Sequence, residues 1–344
     1  MVALKMMNEL RVSVIVTAYN RKNFIYQAID SLLKQKIDPS LFEIITVSNF
    51  ALDIKDISGK FQVSSIVIEG TIGEFLYAGI KRARYGIVAF LDDDDLFEPE
   101  KIKIIIDTFS REKDLCYYHN NQKYVDANLH SLNYVRLVES RSRFSMVEDV
   151  VFGEESNLDP IRDALAAGGD FNLSSITIRK ESAKDYLSTM RSIKSNPDGF
   201  FFWMTLIFKG KLLIDHRKLT VYRLHALNIS GQKDFEKKTM ELKRQIYTYN
   251  LLLDFINNHH PLDEIDTYLG EWICLYRYEY ELMLYVFGNF PRRLMLDRIR
   301  RILSLDKEFT NTLKYRILLF GTVGVISTKL SCRLYSVASK IFGL

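Results

Sequence analysis

Four consecutive aspartates, Asp92 to Asp95, are the residues whose type and spacing most directly suggest chemistry. They follow an uncharged apolar run, Ile87 to Leu91. Four neighbouring carboxylates repel one another, so a cation or a network of donors is expected to neutralise them in the folded protein. Carboxylate oxygens suit Mg²⁺ or Mn²⁺, which usually take further ligands from phosphates and water. The run therefore predicts a site for a divalent cation and a nucleoside diphosphate.

An ordinary structural role explains part of the same run. Aspartate is favoured at the N-cap and in the first turn of a helix, and Pro99 marks a helix start nearby. Capping uses only one or two carboxylates. At least two of the four aspartates are thus expected to serve the metal and the phosphates.

The elements that position these aspartates form an alternating series of predicted strands and helices. Four runs rich in β-branched and apolar residues predict strands, and they cover residues 12–16, 42–47, 63–68 and 87–91. Helical spacing of apolar residues lies between the first and second runs and between the third and fourth. This alternation predicts βαβ units and a mainly parallel sheet, which binds its ligand beyond the carboxyl ends of its strands.

The chain is expected to have two domains, an α/β domain over residues 1–232 and an all-helical C-terminal region over residues 233–344. After Gly231 the pattern changes to long helical periodicity over 235–256 and 265–287, with breaks at Pro261 and Pro291. A polar stretch at 139–160 predicts a mobile loop. Membrane association and oligomerisation are the two roles that such a helical region would serve.

The cysteines and the basic tail bear on location. Cys116, Cys274 and Cys332 form neither a zinc spacing nor a disulfide framework, which favours a reducing, cytoplasmic compartment. Residues 291–344 hold eleven lysines or arginines against three acidic residues, a net of +8 in a chain whose total is +4. We expect this tail to contact an anionic membrane peripherally, on its cytoplasmic face, with a solvated helix face as the alternative. No aromatic–basic interleaving accompanies the charge, so nucleic acid is not an expected partner.

Three segments carry a resemblance to a known family. Val12 to Arg21 is followed by Phe42 to Ile45 and then by Phe90 to Asp95, with Pro99 after it. In this order and spacing they resemble glycosyltransferase family 2 over residues 11–102. The resemblance implies the GT-A fold, a Rossmann-like α/β mixed-sheet domain for nucleotide-diphospho-sugars. It also implies transfer with inversion at the anomeric carbon.

The resemblance implies a donor site at three strand ends. Thr17, Ala18, Tyr19 and Asn20 would border the nucleotide base. The second strand often ends in two aspartates in this family, but Ser48 and Asn49 stand there, so they would contact a base of unspecified identity or only form a turn.

The family's D-x-D pair corresponds to Asp92 and Asp94. Asp92 would meet the ribose or the metal shell, and Asp94 or Asp95 would ligate the ion. Asp93 would belong to the nucleotide side of the site and point away from the ion.

Two later segments complete the implied site. Asp198 precedes an aromatic-rich helix where the family usually has an acid, which predicts a catalytic base, although an N-cap role also explains it. The family's usual Glu-Asp pair reads Pro197-Asp198 here. The stretch Tyr222-Arg223-Leu224-His225 resembles the family segment near the diphosphate, so His225 is a predicted metal ligand and Arg223 a predicted phosphate partner.

These features predict a metal-dependent inverting glycosyltransferase that uses Mn²⁺ or Mg²⁺. It would move a sugar from a UDP- or GDP-linked donor to a lipid-linked or oligosaccharide acceptor. A nucleotidyltransferase is one alternative, but the turn Thr17 to Arg21 contains a single basic residue, Arg21, and no Gly-rich phosphate loop. A non-catalytic binding protein with a decayed site is the other, because Ser48, Asn49 and Pro197 depart from the family pattern.

Overall fold

The computed structural model describes residues 10–54, 61–132, 150–152, 158–225, 235–259, 264–286, 291–304 and 317–322. The chain divides into two compact units. Unit 1 comprises Met1–Tyr134, Ser142–Ile193 and Pro197–His225, and unit 2 comprises Val135–Arg141, Lys194–Asn196 and Ala226–Leu344. The predicted boundary at 232 and most of the predicted 139–160 loop lie outside the described residues, so both stay predictions.

Unit 1 is built on a mixed sheet. In the described part of the chain its strands are β1 (Val12–Ala18), β2 (Phe42–Ser48), β3 (Gln62–Val67), β4 (Ile87–Asp92), β5 (Leu96–Phe97), β6 (Leu115–Val125), β7 (Val150–Phe152), β8 (Ile176–Arg179) and β9 (Lys211–Arg223). Their order is β3-β2-β1-β4-β8-β6-β9-β5, and β7 pairs with β9. The first four strands run parallel, as the βαβ pattern predicted, whereas β8 is antiparallel to β4 and β6.

The helices of unit 1 connect these strands. They are α1 (Ile25–Leu33), α2 (Ile72–Arg82), α3 (Lys101–Arg111), α4 (Leu158–Ala166), α5 (Leu187–Met190) and α6 (Pro197–Ile207). Helix α2 begins with a capping box, in which the Thr71 hydroxyl accepts from the Glu74 N–H and the Glu74 carboxylate accepts from the Thr71 N–H. Such reciprocal bonds satisfy two of the backbone donors that a helix start leaves open.

Alternation along the strands assigns each side chain to one face of the sheet. On the first face, every second residue of β1 and β4 packs with α1 and α3 in one hydrophobic core. On the second face, a Cβ at Gly79 of α2 would lie 2.6 Å from the Ile15 side chain, so the helix approaches the sheet closely. Phe90 stacks on Phe201 of α6 on the same side, with 4.9 Å between ring centroids.

The second face carries the polar strand ends. Thr17 lies two residues beyond Ile15, and Asp92 lies two residues beyond Phe90, so both share the face that α2 and α6 cover. The parallel register pairs Thr17 with Asp92 and Ala18 with Ser48. The antiparallel β8 runs back along β4, which brings the turn before β8 beside Asp92.

The part of unit 2 that the structure describes after residue 234 is helical apart from Pro291, as the periodicity predicted. Its helices are α7 (Phe235–His259), α8 (Glu264–Val286) and α9 (Arg292–Ser304), and residues 317–322 are also helical. Tyr249 of α7 stacks on Tyr276 and Tyr280 of α8, and Arg298 of α9 donates to Glu281 of α8 at 2.7 Å. Among the described helices of the whole chain, none has the length and apolar character needed to cross a bilayer.

Candidate active site

The ends of β1 and β4 are joined by a side-chain hydrogen bond. The Thr17 hydroxyl donates to Asp92 Oδ1 at 3.0 Å, and the Asp93 N–H donates to the Thr17 carbonyl. The Asp92 N–H in turn donates to the Ser174 hydroxyl in the turn before β8. These bonds fix the direction in which Asp92 leaves the sheet, because partners on both neighbouring strands hold it.

The turn after β1 is locked to the turn after β2. The Asn20 N–H donates to Asn49 Oδ1 at 2.9 Å, and Asn49 Nδ2 donates to Asn20 Oδ1 at 2.7 Å. Asn20 has φ 57°, a left-handed conformation that asparagine adopts more readily than most residues. Tyr19 beside it is 51% exposed, whereas the Ser48 hydroxyl is buried and donates to the Phe50 carbonyl. This edge of the sheet therefore presents the aromatic ring of Tyr19 and the amide of Asn49, whereas the Ser48 hydroxyl stabilises the turn after β2.

Arg21 binds two of the four aspartates. Its Nε donates to Asp93 Oδ2 at 3.1 Å and its second terminal nitrogen to Asp93 Oδ1, while its first terminal nitrogen donates to Asp94 Oδ2 at 2.6 Å. Burial raises the pKa of Asp93, and the guanidinium opposes that shift. The donor network expected around the aspartates thus includes a residue that the sequence prediction did not place in the site.

His225 reaches the same oxygen of Asp94. Its Nε2 lies 3.0 Å from Asp94 Oδ2, and its ring packs 4.9 Å from the ring of Phe24. Although burial raises the pKa of Asp94, the hydrogen bond from His225 and the charge of Arg21 hold it below the ordinary value. Asp94 is therefore an ionised carboxylate with two cationic or donor neighbours on one oxygen.

Asp95 faces the protein interior. It is 1% exposed, and its Oδ1 accepts from the Arg223 N–H at 3.1 Å. The fully buried Lys101 also lies near, and it donates to the Ser174 carbonyl at 2.6 Å and to the Thr220 hydroxyl at 2.9 Å. Burial raises the pKa of Asp95 well above its ordinary value and lowers that of Lys101. This aspartate belongs to the floor beneath the site.

The Arg223 guanidinium donates hydrogen bonds to acceptors within the protein. Its Nε donates to the Asp94 carbonyl at 2.9 Å, and its terminal nitrogens donate to Gln27 Oε1 and to the Ala127 carbonyl. It also lies 4.4 Å from the centroid of the Phe24 ring. Arg223 thus stabilises the backbone of the aspartate turn through its hydrogen bond to the Asp94 carbonyl.

The donor set matches a hard divalent cation in chemistry. Asp92 and Asp94 supply carboxylate oxygens, and Asp94 Oδ2 and His225 Nε2 are separated by 3.0 Å. Two ligand atoms at right angles, each about 2.1 Å from an ion, would be about 3 Å apart. Among the described residues, however, no three acidic, histidine or cysteine side chains gather closely enough to hold an ion. The four predicted ligands therefore do not form a complete set, and a ligand or water would have to supply the rest.

Asp198 lies at the start of α6, close enough to Asp92 for its charge to contribute to the raised pKa of Asp92. Its Oδ2 accepts from the Asn172 N–H at 2.9 Å, and the N–H groups of Asp198 and Gly199 add further support. Burial raises the pKa of Asp198 to about 6, against these hydrogen bonds. Such a carboxylate is ionised at neutral pH yet can accept a proton, as a general base must.

Asn172 is held on three sides. It has φ 68°, its Oδ1 accepts from the Ser174 N–H, and its Nδ2 donates to Gln122 Oε1 at 2.7 Å. Gln122 Nε2 then donates to the Tyr124 hydroxyl at 2.7 Å. A left-handed asparagine with both ends of its amide bonded has one orientation, so its N–H points steadily at Asp198.

The structure brings most of the predicted site residues together on one edge of the sheet. Those at this edge are Thr17, Ala18, Tyr19, Asn20, Ser48, Asn49, Asp92, Asp93, Asp94, Asp95, Arg223 and His225. Sequence reasoning missed Arg21, Asn172 and Gln122. Arg21 could have been found from its place directly after the first strand-end turn, whereas no local signal marks the other two.

The sheet order, the helices on both faces and the acidic strand end define a GT-A glycosyltransferase fold, as predicted. Solved structures support this class at low sequence identity. TarS of S. aureus, residues 1–349 in complex with UDP-GlcNAc, has a TM-score of 0.53 and 15% identity over 96% of this chain and 92% of that one. A mannosyltransferase from Pyrobaculum calidifontis, in complex with GDP-Man and Mn²⁺, has a TM-score of 0.51 and 13% identity over 93% and 88%.

The sequence comparisons give the family. Residues 13–151 match the family model of glycosyl transferase family 2, which confirms the predicted resemblance over this part of the chain. An uncharacterized glycosyltransferase of Rickettsia typhi is 26% identical over 220 residues. The match spans 62% of this chain and 64% of that protein's length.

Proposed function

We propose that this protein is a metal-dependent, inverting glycosyltransferase whose donor is a nucleoside-diphosphate sugar. The observation that carries this proposal is the group at the end of β4, where Asp94 lies 3.0 Å from His225 and Asp92 is tied to Thr17. Hard oxygen ligands at the carboxyl end of a parallel sheet suit an ion bridged to phosphates. The solved relatives hold UDP-GlcNAc or GDP-Man with Mn²⁺, which supports the same donor class here.

The residues of the donor side have distinct roles in this proposal. Asp94 and His225 would hold Mn²⁺ or Mg²⁺, and Asp92 would approach the ribose or the ion. The bound ion would supply positive charge that stabilises the departing diphosphate. Tyr19 would border the base, with the Asn49 amide at the base edge. Asp95 is assigned to the floor of the site, because its carboxylate faces Arg223 and Lys101.

Asp198 is the proposed catalytic base. Its carboxylate would take the proton of an acceptor hydroxyl as that oxygen forms a bond to the anomeric carbon. The bond from the anomeric carbon to the diphosphate breaks on the opposite face, and its electron pair leaves with the diphosphate. The configuration is therefore inverted. The niche of Asp198 favours this role because a pKa of about 6 leaves the group ionised at neutral pH.

The proposed acceptor is a lipid-linked or oligosaccharide substrate at the cytoplasmic face of a membrane. Helix α9 supports this part of the proposal, because it exposes arginines and leucines together. Those with exposed side chains are Arg293, Leu294, Leu296, Arg300, Arg301 and Leu303. A basic helix with exposed apolar side chains binds the interface of an anionic bilayer. Residues 305–316 and 323–344 of the predicted basic tail lie outside the described residues.

A donor panel tests the enzymatic proposal. Purified protein is incubated with UDP- and GDP-sugars, with Mn²⁺, Mg²⁺ or excess EDTA, and release of the nucleoside diphosphate is measured. We expect release with one donor class that EDTA abolishes and that Asp198→Asn suppresses. Pyrophosphate release from a nucleoside triphosphate and a sugar phosphate would instead favour a nucleotidyltransferase. No release and no nucleotide binding would leave the non-catalytic alternative.

Vesicle flotation tests the membrane contact. The full chain is mixed with phosphatidylglycerol-containing or purely phosphatidylcholine vesicles. We expect flotation with the anionic vesicles only, and its loss in the triple variant Leu294→Ser, Leu296→Ser, Leu303→Ser. Val67→Ser, at a 54% exposed position of β3, is the matched control. Equal flotation of the wild-type chain and the triple variant would refute the contribution of α9.

A further inference from the structure

Arg21 contacts Asp93 and Asp94, and the proposed function assigns it no role. Its guanidinium makes two hydrogen bonds to Asp93 and one to Asp94, and its side chain is 27% exposed. The bond to Asp94 ends on Oδ2, the same oxygen that His225 approaches. An arginine therefore contacts the same carboxylate oxygen that we assign to the metal.

Asp93 gives this arginine a fixed anchor. Both carboxylate oxygens of Asp93 accept from Arg21, in the two-point geometry that guanidinium and carboxylate groups form best. Asp93 is 1% exposed and its N–H is bonded to Thr17, so the anchor itself is tied to the sheet. The guanidinium can thus release Asp94 without leaving the site.

A divalent cation and Arg21 compete for Asp94. Both are positive, and both need the same carboxylate oxygen, so an ion that arrived alone would repel the guanidinium at short range. His225 Nε2 also lies 3.0 Å from this oxygen, so two side chains already contact the place that an ion would take. These contacts disfavour binding of the ion by itself.

A diphosphate removes this conflict. Its oxygens supply the negative charge and the ligands that two carboxylates alone do not provide, and they can accept the N–H that Arg21 withdraws from Asp94. We infer that Arg21, anchored by Asp93, competes with the cation for Asp94 Oδ2 and makes metal binding conditional on the donor diphosphate. This inference rests on the proposed function and assigns Arg21 to diphosphate binding and Asp93 to positioning it.

Calorimetry without turnover tests the inference. Mn²⁺ is titrated alone, and then in the presence of UDP or GDP, into the wild-type chain, Arg21→Ala and Arg21→Lys. The wild-type chain is expected to bind Mn²⁺ about tenfold or more tightly with its cognate nucleoside diphosphate than without it. Arg21→Ala is expected to bind bare Mn²⁺ more tightly than the wild-type chain and the nucleotide more weakly. Arg21→Lys keeps the charge but loses the two-point anchor, so it should fall between them.

Two further variants separate the role of Arg21 from general damage. Arg84→Ala removes another arginine bound to a carboxylate, that of Glu43, outside the site and should leave both titrations unchanged. Asp93→Asn keeps the shape of the anchor but weakens its hold on Arg21, so it should reduce nucleotide affinity in the same direction as Arg21→Ala. Far-UV circular dichroism confirms that each variant is folded.

The outcomes distinguish this inference from the proposed function. Equal Mn²⁺ affinity of the wild-type chain with and without its nucleotide, or identical titrations for the wild-type chain and Arg21→Ala, would overturn the role of Arg21 alone. Absence of Mn²⁺ binding to every form, with UDP and with GDP, would overturn metal dependence itself and the inference with it.

Discussion

The surroundings of Asp94, at the end of β4, and those of Asp198 shift the pKa of an aspartate side chain in opposite directions. Asp94 contacts Arg21 and His225, and its pKa is lowered. Asp198 is bonded to backbone N–H groups, and burial raises its pKa to about 6. At Asp94 the donors and charges of its neighbours outweigh burial and keep the carboxylate ionised, whereas Asp198, buried against amides, can exchange a proton near neutral pH. One residue type is thus suited to ligation in one place and to base catalysis in the other.

The largest effect is expected for Asp198→Asn, which removes the base and leaves the donor side intact. We expect kcat to fall about a thousandfold, because a positioned base contributes a factor of this order. The Kd for the nucleoside diphosphate with Mn²⁺ should stay within about twofold, because the hydrogen bonds of Asp198 are made with Asn172 and the start of α6. Steady-state release of nucleoside diphosphate and calorimetry measure the two quantities. A parallel loss of nucleotide affinity would show that the two regions are not separable.

Asp94→Asn is the reciprocal change on the donor side. It should weaken Mn²⁺-dependent nucleotide binding about a hundredfold, because the ion loses a charged ligand. Nucleotide binding without metal should change far less. Asp30→Asn, at an exposed carboxylate of α1 paired with Lys34, is the matched control. Unchanged metal dependence in Asp94→Asn would transfer the ligand role to another aspartate.

The pH dependence of kcat/KM reports on the Asp198 niche. A raised pKa means that the carboxyl group keeps its proton up to a higher pH, and the base works only when ionised. Activity should therefore be lost on acidification below about pH 6, about tenfold per pH unit, rather than near the ordinary aspartate pKa of about 4. Initial rates from pH 5 to 8 at saturating Mn²⁺ measure this limb. A limb near pH 4 would contradict a buried, amide-bound base.

The smallest effects are expected at Asn172, which positions Asp198 and does not contact the reacting atoms. Asn172→Gly accepts φ 68° and keeps the N–H but loses the bonds to Gln122 and Ser174, so kcat should fall about tenfold. Asn172→Ala also strains the left-handed backbone and should be about 1 kcal/mol less stable than Asn172→Gly. Urea unfolding measures the change in stability, and initial rates across the pH profile measure the change in kcat. Equal free energies of unfolding for Asn172→Gly and Asn172→Ala would show that the left-handed backbone at this position does not strain the alanine variant.

Much of unit 1 could be predicted from local pattern. The strand runs 12–16, 42–47 and 87–91 lie within β1, β2 and β4, because a buried parallel strand is a continuous apolar run. The run 63–68 corresponds to β3 at Gln62–Val67, and the aromatic-rich helix expected at Asp198 corresponds to α6 at Pro197–Ile207. The antiparallel placement of β8 between β4 and β6 was not predicted, because pairing between distant strands leaves no local periodicity.

The candidate site, like the fold, was predictable only in part. The aspartates, Thr17 and His225 were predicted to share it, because the ends of parallel strands meet at one edge and a family pattern supplied the rest. The use of each carboxylate was not predictable. Asp93, Asp94 and Asp95 are adjacent in the chain yet face Arg21, His225 and Arg223 respectively. Arg21 follows β1, Arg223 ends β9 and His225 follows β9, so these partners are far from the aspartates in the sequence.

Local patterns in the sequence predict the first strands and helices, the edge of the sheet at which the acidic residues lie, and the similarity of residues 13–151 to glycosyltransferase family 2. Which carboxylates keep their charge depends on contacts that form only in the folded chain. Arg21 lies more than seventy residues before Asp93, and Asn172 contacts both Gln122 and Asp198 across long stretches of chain. The physical reason is that local patterns encode which face a side chain occupies, whereas pKa and hydrogen bonding depend on the few ångströms between groups that folding brings together.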